Sequence, residues 1–258
     1  MIAAPSSSQP GSTVLFIRSL LFYMGMMVSL VPWSFVVLLS VPLAFEHRHR
    51  IARQWNRFVL WWLQQTCKID CRISGLEYIP EGPVIVAAKH QSAWETLFLQ
   101  QFLPPMTWVL KKELLVIPFF GWAMAVLQPI AIDRKAATSA LKQVVRQGAE
   151  RLAQGRWVLI FPEGTRTEPG MRGTYSASAA LLAVNSGYPI LPVAHNAGEF
   201  WPRRGFLKRP GTIELIFGPL LNSQGHKPKE LNTLVETWIE SAMARISHVS
   251  ENPLKLNG

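Results

Sequence analysis

From Ser19 to Phe45 the chain carries no charged side chain, a run of 27 positions. Roughly 20 apolar residues suffice for a helix to cross a bilayer, so the run predicts a membrane helix with length to spare. Pro32 and Pro42 lie within it. They either kink one helix or divide the run into two short helices that dip into a single leaflet. A cleaved secretory signal has an apolar core of about 7–15 residues followed by a small-x-small site. This run is much longer, and Pro42 stands where a small residue would precede a cut after Ala44, so the segment is expected to stay attached.

After Gly75 the pattern changes to short apolar runs alternating with amphipathic stretches. Pro83–Lys89 (PVIVAAK), Thr107–Leu110, Ile130–Ile132, Trp157–Phe161, Ile190–Val193 and Thr212–Phe217 read as strands. Ala93–Leu103, Thr138–Gln154, Ser176–Val184 and Lys229–Ile246 read as helices; Leu141, Val144, Val145, Ala149 and Leu152 recur at helical spacing. The alternation predicts an α/β fold, a mixed and partly parallel sheet flanked by helices behind an N-terminal hydrophobic membrane segment. Residues 1–74 are expected to form the membrane anchor and an interfacial helix, and residues 75–258 the main domain.

Composition narrows the picture. With 49% hydrophobic and 16% charged residues, the 258-residue chain can bury a full core, which excludes a largely disordered protein. The net charge of +10 calls for an anionic partner, nucleic acid or anionic lipid. His47, Arg48, His49, Arg50, Arg53 and Arg57 follow the apolar run, whereas only Arg18 precedes it. That asymmetry places the C-terminal side in the cytoplasm, in a bacterium at the inner membrane. Trp55, Phe58, Trp61 and Trp62 interleave with Arg53 and Arg57, which suits a helix at the membrane interface or aromatics packed on the main domain. The loop Trp201–Gly211 (WPRRGFLKRPG) is either a solvated loop or a contact with membrane or anionic substrate. Basic residues fall in short clusters without a nucleic-acid-reading motif, so no nucleic-acid partner is expected. Cys67 and Cys71 make neither a disulfide framework nor a zinc site, and no metal is expected.

Two motifs carry candidate chemistry. In Lys89-His90-Gln91-Ser92-Ala93-Trp94-Glu95, His90 ends a buried strand and Glu95 enters the following helix. Ligands of open α/β sheets collect at strand C-termini. A carboxylate that holds one imidazole nitrogen protonated leaves the other free to take a proton from a hydroxyl. Phe161-Pro162-Glu163-Gly164-Thr165-Arg166 follows a second buried strand. There Gly164 permits close approach of a ligand, and Arg166 offers planar donors to a phosphate. Taken singly, the first motif also suits a structural histidine and the second a solvated turn.

Together these blocks resemble the glycerolipid acyltransferase family typified by the 1-acylglycerol-3-phosphate acyltransferases, the PlsC-like enzymes. Four blocks occur in the family order: His90 to Glu95 for the family's H-x-x-x-x-D, Ile132-Asp133-Arg134, Phe161 to Arg166, and Ile190-Leu191-Pro192-Val193. Glu95 stands where the family normally has Asp, and Lys89 where it often has Asn. The resemblance implies that residues 75–258 are an acyltransferase catalytic domain. It implies that His90 deprotonates the acceptor hydroxyl, which attacks the acyl thioester directly, while Glu95 supports the imidazolium. It also implies that Arg134 binds the acceptor phosphate, that Glu163, Gly164, Thr165 and Arg166 shape the glycerol-phosphate pocket, and that Lys111 lies near the phosphate. Lys112, beside it, competes for that last role.

The expected reaction moves a fatty acyl group from acyl-ACP or acyl-CoA, as co-substrate, to the sn-2 hydroxyl of 1-acylglycerol 3-phosphate. Phosphatidic acid results, and no bound cofactor is implied. Expected partners are membrane lipids, the lysophosphatidic-acid-type acceptor, and acyl carrier protein or acyl-CoA. Two alternatives stand beside it: the same chemistry on another lysolipid such as lyso-ornithine lipid, and a non-catalytic membrane protein that binds anionic lipid.

Overall fold

The protein is seen in a computed structural model that describes residues 10–250, so the outer ends of both expected segments, 1–9 and 251–258, lie outside the described residues. The chain opens with two long helices, α1 (Ser12–Leu39) and α2 (Phe45–Cys67), followed by strand β1 (Ile69–Ser74). It continues through β2 (Ile85–Ala88), α3 (Trp94–Phe102), β3 (Met106–Lys111), α4 (Phe120–Val126), β4 (Ile130–Ile132), α5 (Ala137–Ala153) and β5 (Trp157–Ile160). It closes with α6 (Ser178–Ser186), β6 (Ile190–His195), α7 (Ala197–Phe200), β7 (Gly211–Phe217) and α8 (Pro228–Ile246). The strands and helices expected after Gly75 are all present, with ends within two residues of the sequence reading, whereas the apolar run Ser19–Phe45 is covered by a helix that starts earlier and ends at Leu39. The sheet starts earlier than expected, at Ile69 inside the stretch assigned to the anchor.

Among the described residues seven strands form one sheet in the order β1-β7-β6-β2-β5-β3-β4. Every neighbouring pair is parallel except β6 and β7. The short central strands are apolar on both faces because each face carries its own core. Val84, Val86 and Ala88 point into one core with Trp157 and Leu159, and Ile85 and Ala87 into the other with Val158 and Ile160. The first core packs against α1 to α4, the second against α5, α6 and α8. Side chains alternate along a strand, so a four-residue apolar run such as β2 serves both layers.

α1 is a single helix of 28 residues that runs through Pro32, and Pro42 falls in the turn before α2. The helix is long and apolar enough to cross a bilayer. It carries exposed Phe16, Ile17, Met24, Val28 and Leu39 on one side and buries Phe22 and Val37 on the other. An apolar N-terminal helix of this kind indicates membrane association. α2 lies alongside, and tryptophans link the pair: Trp62 Nε1 donates to Leu21 O at 3.0 Å, Trp55 Nε1 to Ser29 Oγ at 3.1 Å and Trp33 Nε1 to Ile51 O at 3.3 Å. The aromatics of α2 thus divide. Trp55 and Trp62 bind α1, while Phe58 and Trp61 remain exposed.

Gly25 lies directly beneath the Trp62 indole, with no room for a Cβ. Gly25→Val is expected to push the two helices apart and cost about 1–3 kcal/mol. The check is a thermal melt in detergent: an unchanged midpoint in a folded variant rules out the close approach.

The basic loop after α7 exposes Arg203, Arg204 and Arg209 but is anchored by Lys208. Lys208 is fully buried, with its Nζ donating to Tyr23 Oη at 2.7 Å and to the carbonyls of Phe206 and Gly205. Burial pushes its ammonium down to about 8. Phe206 stacks on Tyr23 with ring centroids 5.2 Å apart, so the loop holds the first half of α1 against the sheet.

Candidate active site

Strands β2, β5, β3 and β4 are adjacent and parallel, so their C-terminal ends share one edge of the sheet. Whatever follows each strand must gather there. His90 follows β2, Arg166 follows β5, Lys111 ends β3 and Arg134 follows β4. All four line one cleft of about 400 Å³. The rest of its wall is mainly apolar and includes Trp108, Phe161 and Leu97, with Met26, Met27 and Leu30 of α1 above them.

The His90 backbone is clamped on both sides. Its N–H donates to Glu163 Oε2 at 2.8 Å, and its carbonyl accepts from the Thr167 N–H at 2.8 Å. Its ring stacks on Phe161, with centroids 3.9 Å apart and planes 14° from parallel. Nδ1 lies 2.8 Å from Glu95 Oε1. With Nδ1–H donating to that carboxylate, Nε2 keeps its lone pair toward the cleft.

Glu95 is completely buried and sits in the first turn of α3. It accepts the N–H groups of Gln91 at 3.0 Å and Ser92 at 2.9 Å, as an acid at a helix N-terminus can. Burial alone would raise its pKa. The N–H edge of His195, 3.9 Å from Oε2, the His90 hydrogen bond and the Ser92 N–H overcome that and hold the carboxyl below its ordinary value. The extra methylene relative to aspartate therefore does not prevent contact with the imidazole.

His195, at the end of β6, is a second and fully buried imidazole. Its Nε2–H donates to Lys89 O at 2.8 Å and its Nδ1 accepts from the Ala197 N–H at 3.3 Å. One nitrogen donating and one accepting describe a neutral ring, and burial pushes its pKa down accordingly.

Several known proteins are similar to this chain. The Acyltransferase family model matches residues 70–196. A 1-acyl-sn-glycerol-3-phosphate acyltransferase of Pseudomonas aeruginosa is 46% identical over 93% of this chain and 95% of its own length. The chain belongs to the PlsC-like acyltransferase family. A lyso-ornithine lipid O-acyltransferase of the same organism is 33% identical, over 54% of this chain and 53% of its own. The crystal structure of the acyltransferase PlsC from Thermotoga maritima superposes with a TM-score of 0.75, covering 92% of this chain and 97% of that one; at 23% identity the likeness is one of fold.

In this PlsC-like chain the residues implied by the resemblance do not all reach the cleft. Glu163 is buried behind His90 rather than in the wall. Gly164, at φ 66°, and exposed Thr165 form the turn that presents Arg166, and neither lines the cavity. The loop's contribution to the cleft is thus Arg166, whose carbonyl accepts from Arg203 Nη1 at 2.7 Å. The two lysines separate cleanly: Lys111 lines the cleft 3.5 Å from Glu113, whereas Lys112 pairs with Asp133. The sequence reading missed His195 although it stands two residues after the Ile190–Val193 block; a histidine at the end of an apolar strand was the available signal.

Proposed function

We propose that this chain transfers a fatty acyl group from a thioester donor, acyl-ACP or acyl-CoA, to the sn-2 hydroxyl of 1-acylglycerol 3-phosphate, giving phosphatidic acid. The observation that carries the reading is the single cleft in which a carboxylate-backed imidazole faces Lys111, Arg134 and Arg166. The three cations match a phosphomonoester, the apolar wall matches acyl chains, and the imidazole matches the hydroxyl proton. His90 Nε2 takes that proton as the oxygen attacks the thioester carbonyl. The thiol leaves with a proton returned by the imidazolium, and Glu95 stabilises the charged ring meanwhile. The high identity to the Pseudomonas aeruginosa enzyme over nearly the whole chain supports this acceptor over lyso-ornithine lipid, whose acyltransferase matches only about half. The basic first half of α2 supports a cleft on the cytoplasmic side of a bacterial inner membrane.

The test is purified protein with labelled acyl donor and a panel of lysolipids. Phosphatidic acid as the dominant product is expected, and no ester from any acceptor defeats the proposal. Arg134→Ala and Arg166→Ala should each raise the KM for 1-acylglycerol 3-phosphate by about 10–100-fold, the worth of a charged hydrogen bond. An acceptor without a phosphate should be indifferent to both substitutions. Equal losses on both acceptors would speak against phosphate binding.

A further inference from the structure

Lys89 precedes the proposed base and is almost completely buried, its side chain 1% exposed. Its ammonium is fully engaged: Nζ lies 2.7 Å from Glu163 Oε1, 2.9 Å from Glu240 Oε1 and 3.2 Å from Met171 O. Glu163 uses its other oxygen, Oε2, to accept the His90 N–H at 2.8 Å. Glu240 belongs to α8, on the far side of the sheet from the cleft, and also accepts the Tyr175 hydroxyl at 2.6 Å. A continuous line of contacts therefore runs from the C-terminal helix through Glu240, Lys89 and Glu163 to the backbone of His90. Two carboxylates share one ammonium along it. A cavity of about 310 Å³, lined in part by Lys89, Gln91 and Glu240, opens on that far side and is distinct from the catalytic cleft.

We infer that Lys89 is a positioning residue for His90, acting by keeping Glu163 ionised and aimed at the His90 N–H, and that Glu240 tempers this action. The inference rests on His90 being the base. A buried carboxylate without a partner gains a proton or turns away, and either change loosens the backbone that presents the imidazole. Burial, with Glu240 adding to it, leaves the Glu163 carboxyl above its ordinary value, and Lys89 and the His90 N–H are the groups that oppose the rise. The groups facing it are Lys89 and His90 from the β2 end, Glu240 from α8 and Tyr175 from the segment before α6. Glu236, paired with Arg172, lies one turn earlier on α8.

The signs give the test. Removing a buried cation favours proton binding by the groups around it; removing an anion disfavours it. In full-length protein assayed from about pH 5 to about pH 9, Lys89→Met should move the acid limb of kcat/KM to higher pH. It should also lower kcat by roughly tenfold while the acceptor KM stays within about twofold. Glu240→Gln, at a partly exposed position, should move the acid limb the opposite way, to lower pH. Opposite shifts are not produced by general loosening of the fold. Lys89→Met/Glu163→Gln, which removes the stranded carboxylate, should abolish the upward shift. A folded Lys89→Met protein with the wild-type limb and kcat overturns the inference. Should Lys89→Met not fold, a wild-type or upward-shifted limb in Glu240→Gln overturns it equally. His90→Ala run in parallel separates the layers: activity surviving there sinks the base assignment, whereas its loss beside an unaltered Lys89→Met sinks this inference alone.

Discussion

His90→Ala is expected to lower kcat by ~10³–10⁴-fold with little effect on folding, the upper part of the range for a lost general base. The ring is partly exposed at the cleft and holds no strand in place. What fixes the segment is its backbone, gripped by Glu163 and Thr167, and alanine keeps both bonds. The substitution should therefore remove the proton acceptor and the Phe161 stacking partner and leave the acceptor's cationic seat intact. Binding of 1-acylglycerol 3-phosphate should persist near the wild-type affinity, measured on vesicles or by calorimetry in detergent. Activity within tenfold of wild type in a folded variant would falsify the base assignment.

Glu95→Gln is expected to cost about 10²–10³-fold in kcat. The amide keeps the size of the side chain but loses the charge that supports an imidazolium. Its NH₂ group can also face His90 Nδ1 and hold the wrong tautomer, with the proton on the nitrogen that should be free. Glu95→Asp keeps the charge and shortens the reach, so its loss should be the smaller one. The order Glu above Asp above Gln is the readout; equal rates for Glu and Gln remove the carboxylate from the mechanism. The same group predicts a stability signature. Its folded pKa lies below the ordinary value, so it contributes stability above the ordinary carboxylate pKa, and that contribution is lost as pH falls through the folded value. The melting temperature of Glu95→Gln should accordingly fall less steeply on acidification than that of the wild type.

Much of the fold was legible because buried parallel strands announce themselves. Ile85–Ala88 and Trp157–Ile160 are short, unbroken apolar runs preceded by turn residues, as strands covered on both faces must be. β1, Ile69–Ser74, escaped notice because an edge strand with alternating burial mixes Asp70 and Arg72 among its apolar residues. α4 escaped because Phe120–Val126 is short, contains a glycine and gives too little periodicity to read. The candidate site divides in the same way. Spacing placed His90, Arg134 and Arg166 at strand ends, and the parallel sheet did the rest. It could not show which way a loop side chain turns, so Glu163 read as a pocket residue although its carboxylate faces Lys89 and the back of the His90 backbone. Nor could it connect Lys89 to Glu240, which are distant in sequence and meet because α8 crosses the sheet there.

Met26, Met27 and Leu30 belong both to the apolar first helix and to the wall of the cleft. A lysolipid need not leave its leaflet to react: its tail can stay among neighbouring lipids while the head group slides sideways beneath the helix. Turnover should then follow the mole fraction of lysolipid in the surface and not its bulk amount, so diluting it with inert detergent at fixed total quantity should slow the enzyme.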